Sequence, residues 1–447
     1  MPKPAPLTGN QLFILLAVLL AGCAETVPAS PSPDQQQTTQ STSAAPVAQQ
    51  PSDSALPGDQ PLTVRMPNLT EDELRAGWIS LFDGATLFGW NVPENANWHV
   101  EDGCLVADTG EISLLTTPFQ FDNFEFRCEF HLAKGGNSGV FLRTAADAKN
   151  PATDTYELNI CDSHPTHRTG SLVGRHVAEN VPAVEDSWHR FHVTCSGNRI
   201  QVTLDDTPIV DFSDEGAHAR SLGFLGLQMN KGRIAFRNVF LKPLQNRELF
   251  NGTDLTGFRT VPGSKSTFEV RDGSIHAEGG PGFLETEEVF GDFMLHVEAN
   301  IHDRKAIAES RPANSGVFFR AITGSESAPS HGYEMQIQHD FRNDDRSQPL
   351  DFGSGAIYRR QPARYIVADN NQWFVETLIA QGNRFATFVN GYQVLDWTDD
   401  RPADPNPRKG LRLEAGHLSL QGHDPTTDLD FRSLRVHEFN SGQKAAD

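Results

Sequence analysis

The sequence predicts an all-β chain, two tandem sandwich or jelly-roll modules behind an unfolded leader. Three observations carry this expectation: a long internal duplication, apolar–polar alternation of period two beyond residue 76, and Gly-, Asn- and Asp-rich breaks between the alternating segments without an amphipathic helical pattern. The duplication is plainest where Asn137-Ser138-Gly139-Val140-Phe141-Leu142-Arg143 recurs as Asn314-Ser315-Gly316-Val317-Phe318-Phe319-Arg320, each copy followed by a Tyr-Glu pair. Leu81-Phe82-Asp83-Gly84 likewise answers Leu249-Phe250-Asn251-Gly252, and Phe236-Arg237-Asn238-Val239 answers Phe431-Arg432-Ser433-Leu434. A repeat this long is a whole domain rather than a solenoid unit, so the modules are placed at 77–244 and 247–439. Their join at Gln245-Asn246 is short, and the two domains are expected to touch.

The first element is a leader. Lys3 precedes an apolar run from Leu12 to Leu20, the length of a signal-peptide core and too short to span a bilayer comfortably. Leu20-Ala21-Gly22-Cys23 resembles a bacterial lipobox, which implies a signal peptide over 1–22 and lipidation of Cys23. The Pro-, Ser- and Gln-rich stretch that follows has too few apolar side chains to fold, so 23–76 is read as a disordered tether. Ala24 rather than Asp after the cysteine fits an exported lipoprotein anchored to the outer membrane or cell surface. A cleaved signal with a chance cysteine is the alternative.

The chain carries 37 basic and 58 acidic residues, a net charge of -21. No dense Lys/Arg cluster offers a phosphate-backbone footprint, so nucleic acid is not an expected partner. Cys104, Cys128, Cys161 and Cys195 all fall in the first module. In an exported protein four cysteines could form two disulfides, but the second module has none and the fold does not depend on them.

Strands can be read directly. Phe124, Phe126, Cys128 and Phe130 alternate with polar residues, and Phe293, Leu295, Val297 and Ala299 repeat the pattern against Met294, His296, Glu298 and Asn300. Asn390-Gly391 between two alternating runs predicts a type I′ hairpin. The strand Gly332–Asp340 is unusual, because alternation puts Glu334, Gln336, Gln338 and Asp340 on one face and Tyr333, Met335, Ile337 and His339 on the other. Such a face is either a solvated surface or a binding surface. Amide and carboxylate side chains add little to strand stability, which favours binding.

The ordered succession of the Leu-Phe-Asp/Asn-Gly opening, Asn-Ser-Gly-Val-Phe-x-Arg, Tyr-Glu-x-Gln-Ile, Gly355-Ala356-Ile357-Tyr358 and Leu420-Gln421-Gly422-His423 resembles the 3-keto-disaccharide hydrolase family. The resemblance covers both modules. It implies a concanavalin A-like jelly roll with a concave sugar-binding sheet, and cleavage of glycosides oxidised at C3 by elimination and hydration. That chemistry needs a base for the C2 proton, donors for the enolate oxygen and an acid for the leaving group.

On this reading Glu334 is the base and His423 the acid, or a metal or carbonyl ligand. Arg320, Gln336, Gln338 and Gln421 hold hydroxyls or polarise the ketone, and Tyr358 stacks on a sugar ring. Trp373 could do the same, but it matches Trp188 of the other copy, and such a residue is more often core. Glu334 could instead be structural, paired with Arg320 or Arg432. Asn314-Ser315-Gly316 reads as turn chemistry, with Gly316 taking a conformation other residues resist. His339, Asp340 and Asp424 are conceivable ligands for a divalent cation, though without diagnostic spacing.

The first-module counterparts of the site are Arg143, Glu157, Asn159 and Gln228. That module has Val173 in place of Tyr358 and Asn230 in place of His423, which marks it as degenerate or sugar-binding and the second as catalytic. The expected partners are an oligosaccharide or glycoside substrate, a membrane through the lipid anchor, and an oxidoreductase that supplies the 3-ketone. Two further readings stand beside this one: a non-catalytic carbohydrate-binding lipoprotein, and a two-carboxylate glycosidase using Glu334 with Asp340.

Overall fold

The computed structural model describes residues 65–303, 313–325, 328–406 and 409–439. Residues 1–22, Cys23 and the tether up to 64 lie outside the described residues. The end of the expected tether is ordered. Thr70 caps the helix Glu71–Ala76: its hydroxyl accepts from the Glu73 amide at 3.2 Å and its own amide donates to the Glu73 carboxylate at 2.8 Å. Glu73 also pairs with Arg127 of the first module at 2.5 Å, and Arg75 with Glu298 of the second at 3.1 Å. Six residues hold no helix alone, so docking orders a segment whose polar composition resembles a tether. Among the described residues no helix is long and apolar enough to cross a membrane.

Each module is a sandwich of two antiparallel sheets. In the second, the larger sheet runs Thr267–Arg271, Ser274–Glu278, Asp428–Glu438, Phe293–Ile301, Phe374–Gln381, Arg384–Val389 and Tyr392–Thr398. The smaller runs Phe258–Thr260, Gly282–Thr286, His417–Gly422, Ser315–Ser325 and Ala328–Ile337. The first module repeats the plan, with Ser113–Phe121, Gly223–Lys231, Asn137–Thr144 and Tyr156–Ile160 as its smaller sheet. Alternation sets the core: Phe124, Phe126, Cys128 and Phe130 are buried in one sandwich, Tyr333, Met335 and Ile337 in the other. Asn390 and Gly391 both adopt positive φ, 48° and 74°, as a type I′ turn requires.

The strand Phe293–Ile301 departs from the expected one-sided burial. Met294, His296 and Glu298 are buried too, because their face meets the first module and its helix. Met294, Ile379, Ala386 and Phe388 join the first module's hydrophobic cluster. Polar contacts close the same junction, His437 to Asp122 at 2.6 Å, Arg364 to Asp83 at 2.7 Å and Gln381 Nε2 to the Gln120 carbonyl at 2.6 Å. The modules therefore share a core. Burial holds the His296 imidazole neutral, its pKa driven down to about 3.

The four described cysteines are buried free thiols. Cys128 and Cys195 occupy adjacent strands, but Cys128 faces Phe191 and Cys195 faces Phe124, so register keeps them from pairing with each other.

The arginine that ends each Asn-Ser-Gly-Val-Phe-x-Arg segment is structural. Arg143 and Arg320 sit at register shifts with φ of 48° and 45° and are wholly buried. Arg320 donates to the carbonyls of Gly291, Gly382 and Arg412 at 3.2, 2.6 and 2.8 Å and to Asp292 at 2.8 Å. Arg143 donates to the carbonyls of Asp122, Gly197 and Arg220 at 2.7, 2.6 and 2.8 Å. Neither lines the cavity of its module, and the expected substrate-binding role of Arg320 gives way to one of tying loop ends together. Replacing Arg320 with Ala strands these buried acceptors, and urea unfolding should show a loss of about 3 kcal/mol or more. Unchanged stability would overturn the assignment.

Candidate functional site

A cavity of about 570 Å³ opens on the outer face of the second module's smaller sheet. Its floor comes from alternation within three neighbouring strands. Val317 and Phe319 point into the core, which turns Phe318 outward, where it meets Phe283 edge-on at 5.3 Å. Leu418 and Leu420 likewise send Ser419 and Gln421 outward, and Tyr333 and Met335 send out Glu334 and Gln336. Register then aligns Glu334, Phe318 and Ser419 across the sheet, with Gln421 opposite Phe283. Two strand spacings, about 9.6 Å, separate the backbones of Glu334 and Ser419, wide enough for one sugar ring above Phe318.

Gly316 makes room for the carboxylate. A Cβ there would stand 3.0 Å from both Cγ and Oε1 of Glu334. Gly139 relates to Glu157 in the same way, at 3.3 and 3.4 Å. Neither glycine has positive φ, so the need is space for the neighbouring carboxylate rather than the conformational freedom expected from the sequence. Ser315 and Ser138 are structural: their hydroxyls donate to the carbonyls of Gln421 and Gln228 at 2.6 and 2.7 Å.

The cavity wall is rich in amides. Gln336 Nε2 donates to the Asp351 carbonyl at 3.1 Å, while the side-chain oxygens of Gln336 and Gln421 are buried without a hydrogen-bond partner among the described residues. Such acceptors call for donors, which sugar hydroxyls supply. His423 lines the cavity, its Nδ1 3.2 Å from Asp424, which in turn accepts from Thr426. Tyr358 lies over the opposite side, its amide bonded to the Glu334 carbonyl at 2.9 Å. Partial burial, more than any neighbour, raises the Tyr358 phenol above its usual pKa. Among the described lining residues Glu334 is the one carboxylate. Glu285, also on this sheet, is held by Arg259 at 2.7 Å and Thr323 at 2.8 Å.

Residues 77–242 and 245–437 each match the family model described as a 3-keto-alpha-glucoside-1,2-lyase-like domain. The chain belongs to this family. It carries the lyase-like domain twice. A 3-keto-disaccharide hydrolase of Bacteroides thetaiotaomicron is 27% identical over 230 residues, 38% of this chain and 79% of that protein. Two structures of putative glycosyl hydrolases from Parabacteroides distasonis are 21% and 26% identical. They cover 40% and 37% of this chain and 100% and 99% of their own, with TM-scores of 0.36 and 0.32.

The second lyase-like domain brings Glu334, Gln336, Gln421, Tyr358 and His423 to one cavity but leaves other expected residues outside it. Gln338 lies past the strand end at Ile337, where its Oε1 accepts from the Asp340 amide at 2.9 Å and its Nε2 approaches the Asp340 carboxylate at 3.3 Å. His339 points inward, edge-on to Phe374 at 4.5 Å and bonded to Ser354 at 2.7 Å. Burial lowers its pKa to about 3. The candidate metal ligands thus do not assemble, and among the described residues no three His, Cys, Asp or Glu side chains converge. Trp373 sits just before the larger-sheet strand Phe374–Gln381, 37% exposed beneath the Arg432 guanidinium at 3.9 Å; Trp188 repeats this with Arg237 at 4.0 Å. Arg432 pairs with Glu298, not Glu334.

Sequence reasoning missed Phe283, Phe318, Arg359 and Lys409. An aromatic residue at an outward position in both copies, Phe141 and Phe318, was the available signal for the floor.

The first lyase-like domain has its own cavity of about 520 Å³ over Glu157, Phe141 and Gln228. Gln228 Nε2 lies 3.4 Å from Glu157, and desolvation, partly opposed by this amide, raises the Glu157 pKa to about 7. Arg143 and Asn159 stay outside, since Asn159 donates to the His167 carbonyl. Val92, Pro93, Ile112 and Leu114 give this cavity an apolar wall. Gly316→Ala should displace the Glu334 side chain, a shift that a crystal structure of the variant would show; an unmoved carboxylate would overturn the packing argument.

Proposed function

We propose that the second module cleaves glycosides whose glycosyl residue is oxidised at C3, by elimination and then hydration. The observation that carries this reading is Glu334, the one carboxylate among the described lining residues, standing over Gly316 between Gln336 and Gln421. A two-carboxylate glycosidase needs a second acid across the sugar, and Asp340, the residue expected for that role, is turned away beside Gln338. One base is enough when a ketone has already acidified the C2 proton.

In the first step Glu334 takes the proton from C2, and the electron pair moves into the C2–C3 bond while charge develops on the C3 oxygen. The Gln421 amide nitrogen and the Tyr358 hydroxyl are the donors available to that oxygen. The enolate then expels the C1 substituent. The C1–O bond breaks with its electron pair on the leaving oxygen, and His423 delivers a proton to it. Water next adds across the C1–C2 double bond: His423 takes a proton from it as hydroxide goes to C1, and Glu334 returns its proton to C2. The products are a 3-keto sugar and the free aglycone, a net hydrolysis. The Asp424 carboxylate, 3.2 Å from Nδ1, holds the His423 ring at the cavity.

The first module keeps the base but not the acid, and we assign it sugar binding. The family match and the relative named as a 3-keto-disaccharide hydrolase support a carbohydrate substrate for the chain. Because the modules share a core, the test uses the full chain. Glu334→Gln should lower turnover of a 3-keto-glucoside by about 10³-fold while Glu157→Gln changes it little. Equal losses would sink this division of labour, and turnover of an unoxidised disaccharide would sink the chemistry. The reading also places the enzyme at a membrane surface through Cys23; Cys23→Ser should move it from the membrane to the soluble fraction, and retention at the membrane would argue against the anchor.

A further inference from the structure

The rim of the second module's cavity is cationic in a chain whose net charge is -21. Arg359, Arg360, Lys409 and His423 line it, with Glu334 the one described carboxylate. Neighbouring guanidiniums of this module are matched to acids: Arg346 to Asp369, Arg364 to Asp83, Arg384 to Asp396 and Arg401 to Asp399. Arg359 and Lys409 are exposed, and among the described residues neither lies in an ion pair. The Arg359 guanidinium lies instead over the Tyr358 ring at 5.2 Å.

Backbone geometry argues that Arg359 is there for its side chain. It occupies a turn with φ of 58°, a conformation that disfavours any residue with a Cβ. The turn is fixed to the site: the Tyr358 amide donates to the Glu334 carbonyl at 2.9 Å, and the Arg360 amide to the Ile357 carbonyl at 2.9 Å. In the first module the same turn is closed by Val173 to Glu157 at 3.0 Å and Arg175 to Leu172 at 3.0 Å, and the residue between them is Gly174, with φ of 71°. One copy has the residue the backbone prefers, and the other has an arginine at the cavity. The first module's equivalent of Arg360 is Arg175, which is tied to Asp214 at 2.5 Å.

Resting on the proposed function, we infer that the glycosyl residue taken by the second module carries an anionic substituent, a carboxylate or a sulfate or phosphate ester, which Arg359 and Lys409 recognise. Strand order sets the side. His423 follows the strand His417–Gly422, two strands from Glu334, while Arg359 extends from the segment beyond the Tyr-Glu strand. A leaving group near His423 therefore puts the far side of the glycosyl ring toward Arg359. A guanidinium matches carboxylate and ester oxygens in bidentate fashion, and Lys409 adds a point charge.

The test measures binding and turnover separately on the full chain. Methyl glucoside, methyl glucuronide and methyl glucoside 6-sulfate are titrated calorimetrically at low and high salt, into the wild-type chain and Arg359→Gly, which carries the first module's residue at this turn. We expect the glucuronide or the sulfate to bind about tenfold tighter than the neutral glucoside, with the advantage reduced by salt. Arg359→Gly should abolish the advantage. Which of the two anions binds better separates a uronic acid from an ester. Equal affinity for the neutral sugar, or a preference that survives Arg359→Gly, overturns the inference. Turnover is read with the 3-keto forms of the same sugars: cleavage of the neutral ketone alone would keep the chemistry and sink the charge preference, whereas anion-selective binding with no turnover would do the reverse.

Discussion

The buried guanidinium at the end of each sandwich is the interaction on which the site depends. Arg320 and Arg143 leave their strands at a register shift and gather carbonyls from three separate loops. A buried carbonyl without a donor is costly, so these loops have little choice of position once the arginine is in place. Gly416 and Gly223 let the neighbouring strand approach, since a Cβ at either would fall 2.3 Å from the arginine's carbonyl carbon. The strand so held is the one that turns Phe318 outward and passes beneath Glu334. Behind it, Tyr333 and Tyr156 clasp Asp399 and Asp214, each phenol also receiving an amide from the arginine loop. The Tyr of each Tyr-Glu pair is therefore structural, and the Glu is the part that faces the cavity.

The second constraint is the shared core. A polar face on the strand Phe293–Ile301 would ordinarily be solvated, but here it meets the first module and the short helix. Met294 and Phe388 bury apolar surface in that junction, and Asp122 pairs with His437 inside it. The duplicated domains consequently behave as one folded body, although each has its own sandwich and cavity. Only the cavities are free to diverge. The first has an apolar wall and a carboxyl held near neutrality, while the second has amides, a histidine, a tyrosine and a cationic rim around its carboxylate.

That divergence gives the duplication its meaning. Gly139 and Gly316 keep the same space for Glu157 and Glu334, so the carboxylate over glycine is common to both copies. What differs lies at the rim above it, in a loop at Val173 against Tyr358 and Gly174 against Arg359, and at a strand end at Asn230 against His423. Loops tolerate such changes because few core contacts depend on them. A common sheet with altered rims is what duplication followed by divergence leaves.

Much of this was legible from the residues themselves. The duplication, the alternation that buries Tyr333 and Met335 while exposing Glu334, the Asn390-Gly391 turn and the divergence at Tyr358 and His423 are all local properties of the chain. Period two reports which face a side chain takes, and it does so reliably within a strand. It does not report where the strand ends or what covers each face. Gln338 falls beyond Ile337 and loses the cavity, Trp373 packs under Arg432 away from it, Arg320 leaves at a bulge to bond carbonyls, and helix Glu71–Ala76 is ordered only by what it docks against. The sequence alone determined the repeated all-β plan and the polar strand at its centre, because those follow from short-range periodicity. Only the tertiary structure decided which polar side chains share a cavity, because that depends on pairing between strands far apart in the chain.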